Sequence, residues 1–258
     1  MLRPCLDKSF VFRVPPVYNK TRKYLVEWLR LTMRLRRKPE AKQKLMEHPL
    51  VFTPTEDNKG QMQGQWRSAF PHETHPLHVE LGTGKGQFLA KASTLRPDIN
   101  WIGVERIEEP LLQAVRKGEA TENTNLRYVW ADVENLTDIF ATGEIDRIYL
   151  HFSDPWPKKR HAKRRLTYRR FLDLYEQVLA PAGDLILKTD SVSLFDFSLE
   201  EFQERGWEVV EISRDLHHSP YAATNITTEY EDKFSSRGMP IHYVRVTPPK
   251  ERAVADEN

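Results

Sequence analysis

From Leu77 onward the chain alternates short apolar runs with longer stretches of helical spacing. The apolar runs predict strands near 77–81, 100–105, 126–131, 146–152 and 184–189. The stretches between them predict helices near 86–95, 107–119 and 166–180. In the last of these, Phe171, Leu172, Tyr175, Val178 and Leu179 recur at the intervals that line one helix face. Residues 195–204 continue as helix, and 207–212 and 241–246 as strands. Strand–helix alternation implies a parallel sheet covered by helices on both faces. The expected fold class is α/β, doubly wound and mostly parallel.

Upstream the pattern lapses. Residues 53–76 are rich in Pro, Gly, Gln and Asn and read as loop. Residues 1–32 read as an extension broken at Pro15-Pro16, with a short helix at 24–29. The expected division is an extension over 1–32, a basic segment and loop over 33–76, a domain over 77–247 and a tail over 248–258. The full length of 258 residues suits one large domain or two small ones. Net charge is only +2, so basicity is local, with thirteen Lys and Arg against three acids in residues 1–44. Cys5 is the single cysteine, which excludes an intrachain disulfide and a cysteine zinc site and suits the reducing cytoplasm. No apolar stretch approaches the ~18 residues of a membrane helix, so no membrane partner is expected. The pattern excludes a secretory signal, whereas the Arg-rich first 38 residues leave a mitochondrial leader open.

The chemistry begins where an apolar run, 148–152, stops at Ser153-Asp154-Pro155-Trp156-Pro157. Two prolines lack the N–H that a sheet ladder needs, so a strand ends here. Its C-terminal edge, where open α/β sheets bind ligands, then carries a carboxylate, an indole and a cationic run. Lys158, Lys159, Arg160, Lys163, Arg164, Arg165, Arg169 and Arg170 fall within thirteen residues that hold no acid. A solvated helix face usually mixes signs to gain i,i+4 pairs. A single-sign cluster repels itself until an anion neutralises it, and nucleic acid is the usual anion. Stacking on Trp156, hydrogen bonding to Asp154 and phosphate contacts would together suit a nucleobase.

A second constellation lies in the first half of the domain. Glu80-Leu81-Gly82-Thr83-Gly84-Lys85-Gly86 joins a strand to a helix, and glycines there let a ligand approach the backbone. Glu105 ends the next strand, nineteen residues after Gly86, where a carboxylate can accept both ribose hydroxyls. Asp132 ends the third strand, in reach of an exocyclic adenine N–H. Three such features point to an adenosine-containing ligand. The dinucleotide fingerprint is G-x-G-x-x-G, whereas this loop is G-x-G-x-G with Glu80 beside it. That acid repels a pyrophosphate and suits the ammonium or sulfonium of S-adenosyl-L-methionine. His217-His218 lacks a third ligand at suitable spacing, so no metal is expected.

These residues carry a family resemblance. Residues 33–39 (MRLRRKP), 79–88 (VELGTGKGQF), 102–105 (IGVE), 153–166 (SDPWPKKRHAKRRL), 187–191 (LKTDS) and 228–234 (TEYEDKF) are similar to motifs of the bacterial tRNA (guanine-N7-)-methyltransferases of the TrmB type. The resemblance runs from about Met33 to Val246 and leaves residues 1–32 unmatched. It implies a seven-stranded, Rossmann-like sheet of the class I S-adenosyl-L-methionine-dependent kind. It also implies tRNA as partner, its variable-loop guanine as target, a cytoplasmic setting, and a monomer or homodimer. Glu80, Gly82, Gly84, Glu105, Asp132 and Asp154 would surround S-adenosyl-L-methionine, with Asp154 also catalytic. Lys158, Asp190, Thr228, Glu229, Tyr230 and Glu231 would hold the guanosine. Arg160, His161, Ala162, Lys163, Arg164 and Arg165 would contact RNA. Taken alone, Thr228-x-x-Glu231 reads first as a helix capping box, and Asp190 as a cap for the helix that follows.

Guanine N7 carries a free in-plane lone pair, so it attacks a sulfonium methyl without prior deprotonation. Positioning then dominates, and can supply ~7–11 kcal/mol of the barrier. A carboxylate of Asp154, Asp190 or Glu231 accepting from guanine N1–H and its 2-amino group would select guanine over adenine. These carboxylates need only be ionised, and unperturbed ones titrate near 3.9 and 4.3, so turnover should vary little around neutrality. Two alternatives stand beside this one. An amino-group methyltransferase usually follows its Asp/Asn-Pro with Pro or an aromatic, as in NPPY, rather than with Trp-Pro and cations. A non-catalytic RNA-binding protein has no need of the intact glycine loop and three strand-end acids.

Overall fold

Alternation with period two decides which face of the central strands each side chain meets, and it sorts the apolar residues from the polar ones. The computed structural model describes residues 39–235 and 239–250. In it eight strands form one sheet: β1 (Val51–Phe52), β2 (Leu77–Leu81), β3 (Asn100–Glu105), β4 (Leu126–Trp130), β5 (Ile145–His151), β6 (Leu179–Thr189), β7 (Glu208–Ser213) and β8 (His242–Thr247). Their order is β1-β4-β3-β2-β5-β6-β8-β7. β1 to β6 pair in parallel, and β8 lies antiparallel between β6 and β7. The seven expected strands are thus joined by β1, whose two residues are too few to show an alternation in sequence.

Seven α-helices connect them: α1 (Pro39–Met46), α2 (Gln87–Leu95), α3 (Glu108–Glu119), α4 (Leu136–Ile139), α5 (Arg169–Val178), α6 (Val192–Glu204) and α7 (Glu229–Ser235). α5 is shorter than the helix expected over 166–180. Leu179 already pairs with Ile145 of β5, so the end of the apolar pattern belongs to β6. The helix expected at 24–29, the motif residues 33–38 and residues 251–258 lie outside the described residues.

Along β2, Leu77, Val79 and Leu81 enter a core shared with Phe171, Leu172 and Tyr175 of α5 and Phe195 and Phe202 of α6. Each such fully buried side chain contributes roughly 1.5–3 kcal/mol. The intervening His78 and Glu80 point to the other face, where α2 and α3 bring Phe88, Leu89, Leu111 and Val115. Tyr149 and Ile186 belong to the same core, and by parity His151 and Lys188 share their face. A row of buried polar groups therefore crosses the sheet on one side.

Strand order reverses between β2 and β5. β2 is followed in the chain by β3 on one flank, while β5 stands on the other. The carboxyl ends of strands at such a switch point open the crevice in which α/β sheets hold ligands. Glu80 of β2 pairs in register with Tyr149, which places His151 just beyond it at the end of β5.

Candidate active site

The glycine loop leaves β2 through three left-handed residues, Gly82 (φ 75°), Gly84 (φ 54°) and Gly86 (φ 72°). Other residues adopt such backbone angles at a cost. At Gly86 a Cβ would fall 2.4 Å from the Cβ of Ala114, so only glycine lets the start of α2 approach α3 this closely. Glu105, at the end of β3, fixes the loop. Its Oε2 accepts from Gly84 N at 3.0 Å and its Oε1 from Ile107 N at 2.8 Å. Each oxygen keeps a further lone pair for a ligand hydroxyl. At the end of β4, Asp132 accepts from Glu134 N at 3.1 Å and from Arg106 Nη1 at 3.3 Å.

A cavity of about 370 Å³ opens above this loop, lined by Glu80, residues 82–88, His151, Phe152 and Thr228, Glu229 and Tyr230. It brings Glu80, Gly82 and Gly84 together with the 228–230 segment. Glu105, Asp132 and Asp154 stand at the ends of neighbouring strands and do not line it.

Glu80 at the cavity floor is only 3% exposed. Its Oε2 accepts from Thr83 Oγ1 at 2.5 Å, and its Oε1 lies 2.8 Å from His151 Nδ1. Burial pushes the Glu80 carboxyl up to about 8, against the lowering effect of the Thr83 hydrogen bond and of Lys188. Burial, with Lys188 nearby, holds the His151 imidazole well below the ordinary histidine value. Both directions favour an uncharged acid–imidazole pair.

Beside this pair, Lys188 Nζ donates to Glu231 Oε2 at 2.9 Å, to Asn225 Oδ1 at 3.0 Å and to Ile226 O at 2.9 Å. Burial lowers the lysine's pKa, opposed chiefly by Glu231. Glu231 is itself fully buried and also accepts from Asn225 Nδ2 and Thr228 N. Thr228 Oγ1 accepts in return from Glu231 N at 3.0 Å, which completes the reciprocal capping box. Glu231, expected to touch guanine, is buried, with its oxygens engaged by Lys188, Asn225 and the cap. Thr228 is buried as well, whereas Glu229 and Tyr230 are exposed. Glu229 pairs with Lys117, and Tyr230 Oη donates to Asp190 Oδ2 at 3.1 Å. Phe152 packs on the Tyr230 ring at a centroid distance of 4.7 Å.

Asp154 sits on an exposed turn bracketed by two left-handed non-glycine residues, Phe152 (φ 49°) and Trp156 (φ 41°). Positive φ at aromatic residues is strained and persists only where surrounding contacts impose it. Among the described residues Asp154 has no hydrogen-bond or ion-pair partner. A 3-10 helix, Lys159–Arg164, follows the turn.

The structure sorts the eight cations of this region. Arg169 pairs with Glu201 and Glu204, and Arg170 with Glu134. Arg165, expected to contact RNA, is 7% exposed and donates to two backbone carbonyls of the turn. Lys158, Lys159, Arg160, Lys163 and Arg164 are exposed and have no ion pair among the described residues. His161 packs edge-on against Trp156 and is held below the ordinary histidine value by desolvation and by Arg160, Arg164 and Lys158. Ala162 is half-buried.

Sequence reasoning missed His151, Lys188, Thr83 and Asn225 as parts of this site. Strand parity carries a signal for two of them. His151 and Lys188 end strands on the face that Glu80 occupies. Among the described residues no cluster of three or more His, Cys, Asp or Glu could hold a metal ion, and no helix is long and apolar enough to cross a membrane.

Comparison with known proteins agrees with this geometry. A family described as "Putative methyltransferase" matches residues 74–244. The tRNA (guanine-N(7)-)-methyltransferase of Lachnoclostridium phytofermentans is 47% identical over 210 residues, covering 81% of this chain and 96% of that protein. The protein of the same name from Geobacillus kaustophilus is 45% identical over 221 residues, covering 86% of this chain and all of that one. Among solved structures, the 16S rRNA methyltransferase KamB aligns with a TM-score of 0.53 at 15% identity, over 72% of this chain and 92% of that one, a likeness of fold. With a glycine loop, strand-end acids and sheet order of the methyltransferase kind, and near-half identity along almost the whole length of these relatives, the chain belongs to the tRNA (guanine-N(7)-)-methyltransferase family.

Proposed function

We propose that this chain transfers a methyl group from S-adenosyl-L-methionine to N7 of the variable-loop guanine of tRNA, in the cytoplasm. One observation carries the reading. Asp154 stands on a strained turn that leaves the glycine-loop cavity at His151 on one side and leads into five exposed, unpaired cations on the other. A nucleotide held there by its phosphates has its base beside Asp154.

The residues present fit S-adenosyl-L-methionine. A buried acid, Glu80, faces the cavity and suits an ammonium; Glu105 has lone pairs free for ribose hydroxyls; Asp132 ends the adjoining strand. When bound, the cofactor supplies an electrophilic methyl group. Asp154 and Asp190 then accept from guanine N1–H and the 2-amino group, which adenine does not offer. Tyr230 Oη holds the Asp190 carboxylate, and Lys158 reaches the nucleotide phosphate. As N7 gains a methyl group the ring becomes cationic, and the carboxylate of Asp154 stabilises the charge that develops in the transition state. No side chain removes a proton.

The test is a methyl-transfer assay on unmodified tRNA followed by nucleoside analysis. The expected product is 7-methylguanosine in the variable loop. A different methylated nucleoside, or equal labelling of a tRNA lacking that guanine, overturns the reading.

A further inference from the structure

The geometry points to Arg165 as the positioning residue that locks the Asp154 turn, acting on the turn rather than on RNA. This rests on the reading of Asp154 above. Arg165 lies within the cationic run, yet it alone of the eight is buried. Its Nε donates to Pro155 O at 3.0 Å and its Nη2 to Trp156 O at 3.1 Å, so one guanidinium edge spans two successive carbonyls of the turn. The plane of the group lies over the Phe197 ring of α6, 4.2 Å from its centroid. Its own N–H donates to Ala162 O, which closes the 3-10 helix.

The arrangement answers a physical problem. Prolines 155 and 157 have no N–H, so the turn cannot be held by a backbone ladder. Trp156 between them is forced to a left-handed φ of 41°. Something must hold those carbonyls in place, and Arg165 is the group that does so. It is anchored in turn to α6, where Thr167 and Ser198 share a buried hydrogen bond at 2.7 Å and Ser198 Oγ donates to Leu194 O. Arg164, its neighbour, faces outward and lies over the exposed side of the turn at Trp156, 4.8 Å from that ring. Adjacent arginines thus take opposite tasks, one gripping the turn from the protein side and one available to phosphate. Lysine cannot replace Arg165, because an ammonium has no planar fork to span two carbonyls while stacking on a ring.

The experiment compares Arg165→Ala, Arg165→Lys and Phe197→Leu with Arg164→Ala, in single-turnover and steady-state methyl transfer to tRNA. Each protein is first checked for a cooperative melt. Arg165→Ala should lower kcat by about a hundredfold, the scale of a 1 Å misplacement. Its KM for tRNA and its salt dependence should match wild type. Arg165→Lys should fail to restore kcat, and Phe197→Leu should lower kcat in the same manner to a smaller extent. Arg164→Ala should instead raise the KM for tRNA and reduce the log–log salt slope by about 0.7–0.9. Rescue by lysine, or a salt slope that falls in Arg165→Ala while kcat holds, overturns the inference. If Arg165→Ala does not fold, Phe197→Leu decides: unchanged kcat there also overturns it. An inactive wild-type protein overturns the reading of the site itself, whereas an active wild type with an equally active Arg165→Ala overturns only the role of Arg165.

Discussion

Two regions rich in ionisable side chains flank the cavity and are built on opposite terms. In residues 158–164 five cations stand in solvent with no acid to meet them. On the sheet face behind the cavity, Glu80, His151, Lys188 and Glu231 are all buried, and each has a partner. Exposed charge costs little to leave unpaired and stays available to a ligand. A buried ionisable group must be matched by its neighbours or held uncharged, so it fixes geometry. The contrast separates residues left free to meet a ligand from residues that shape the place where it is met. Arg165 lies at the border: part of the cationic run in sequence, part of the buried set in space.

The largest effect should come from unbalancing the buried side. Glu231→Ala leaves Lys188 in the core without its carboxylate and frees the 225–231 segment. Breaking a buried pair in this way costs about 3–5 kcal/mol. For a domain of this size that is a fall in Tm of roughly 10 °C, read by thermal melting. Replacing Lys188 and Glu231 together by methionine should recover most of the loss, because the desolvation of both charges disappears with them. A single variant that melts within a degree or two of wild type breaks the comparison.

The exposed side should respond in the opposite sense. Neutralising Lys159, Arg160, Lys163 and Arg164 together should leave stability within about 0.5 kcal/mol, as surface changes do. Affinity for tRNA should lose about 0.7–0.9 of log–log salt slope for each phosphate contact removed. If all four make contacts, a fourfold rise in salt should weaken wild-type binding roughly 50- to 150-fold more than it weakens the variant. Titrations at two salt concentrations measure this, and an unaltered slope would return the segment to an ordinary solvated face.

What the sequence reveals divides along the same line. Strand and helix positions, the glycine loop and the strand-end acids are written in local pattern, so the architecture and the cofactor half are legible. The cationic run is legible as a run, but not its division. Whether Arg165 turns inward depends on Phe197 of α6, thirty-two residues away, and whether Arg169 is paired depends on Glu201. Thr228-x-x-Glu231 shows its capping box in sequence. The burial of Glu231 does not show, because Lys188 and Asn225 reach it only after β6 and the 225–231 segment pack together. Polar partners that meet across elements leave no periodic trace. The family resemblance names such residues without distinguishing contact with a ligand from support of the groups that make it.

The smallest effect concerns Glu80, on the buried side. Its raised pKa of about 8 means that the free protein carries this acid protonated through neutrality. A bound ammonium would favour the ionised carboxylate, so binding S-adenosyl-L-methionine below pH 8 should expel a proton. Affinity should then rise with pH toward 8, by at most tenfold per unit, and level off above it. The sign for folding is opposite. A carboxyl raised in the folded state adds stability that is whole below its ordinary range near 4.5 and is lost as pH climbs through 8. Glu80→Gln should therefore gain stability relative to wild type as pH rises from 6 to 9. Calorimetric titration of S-adenosyl-L-methionine in two buffers of different ionisation enthalpy counts the proton directly. Wild type should release close to one near pH 7, and Glu80→Gln correspondingly less. A release that is the same in both proteins would place the proton elsewhere, and would leave Glu80 a buried support for His151 with no part in meeting the ligand.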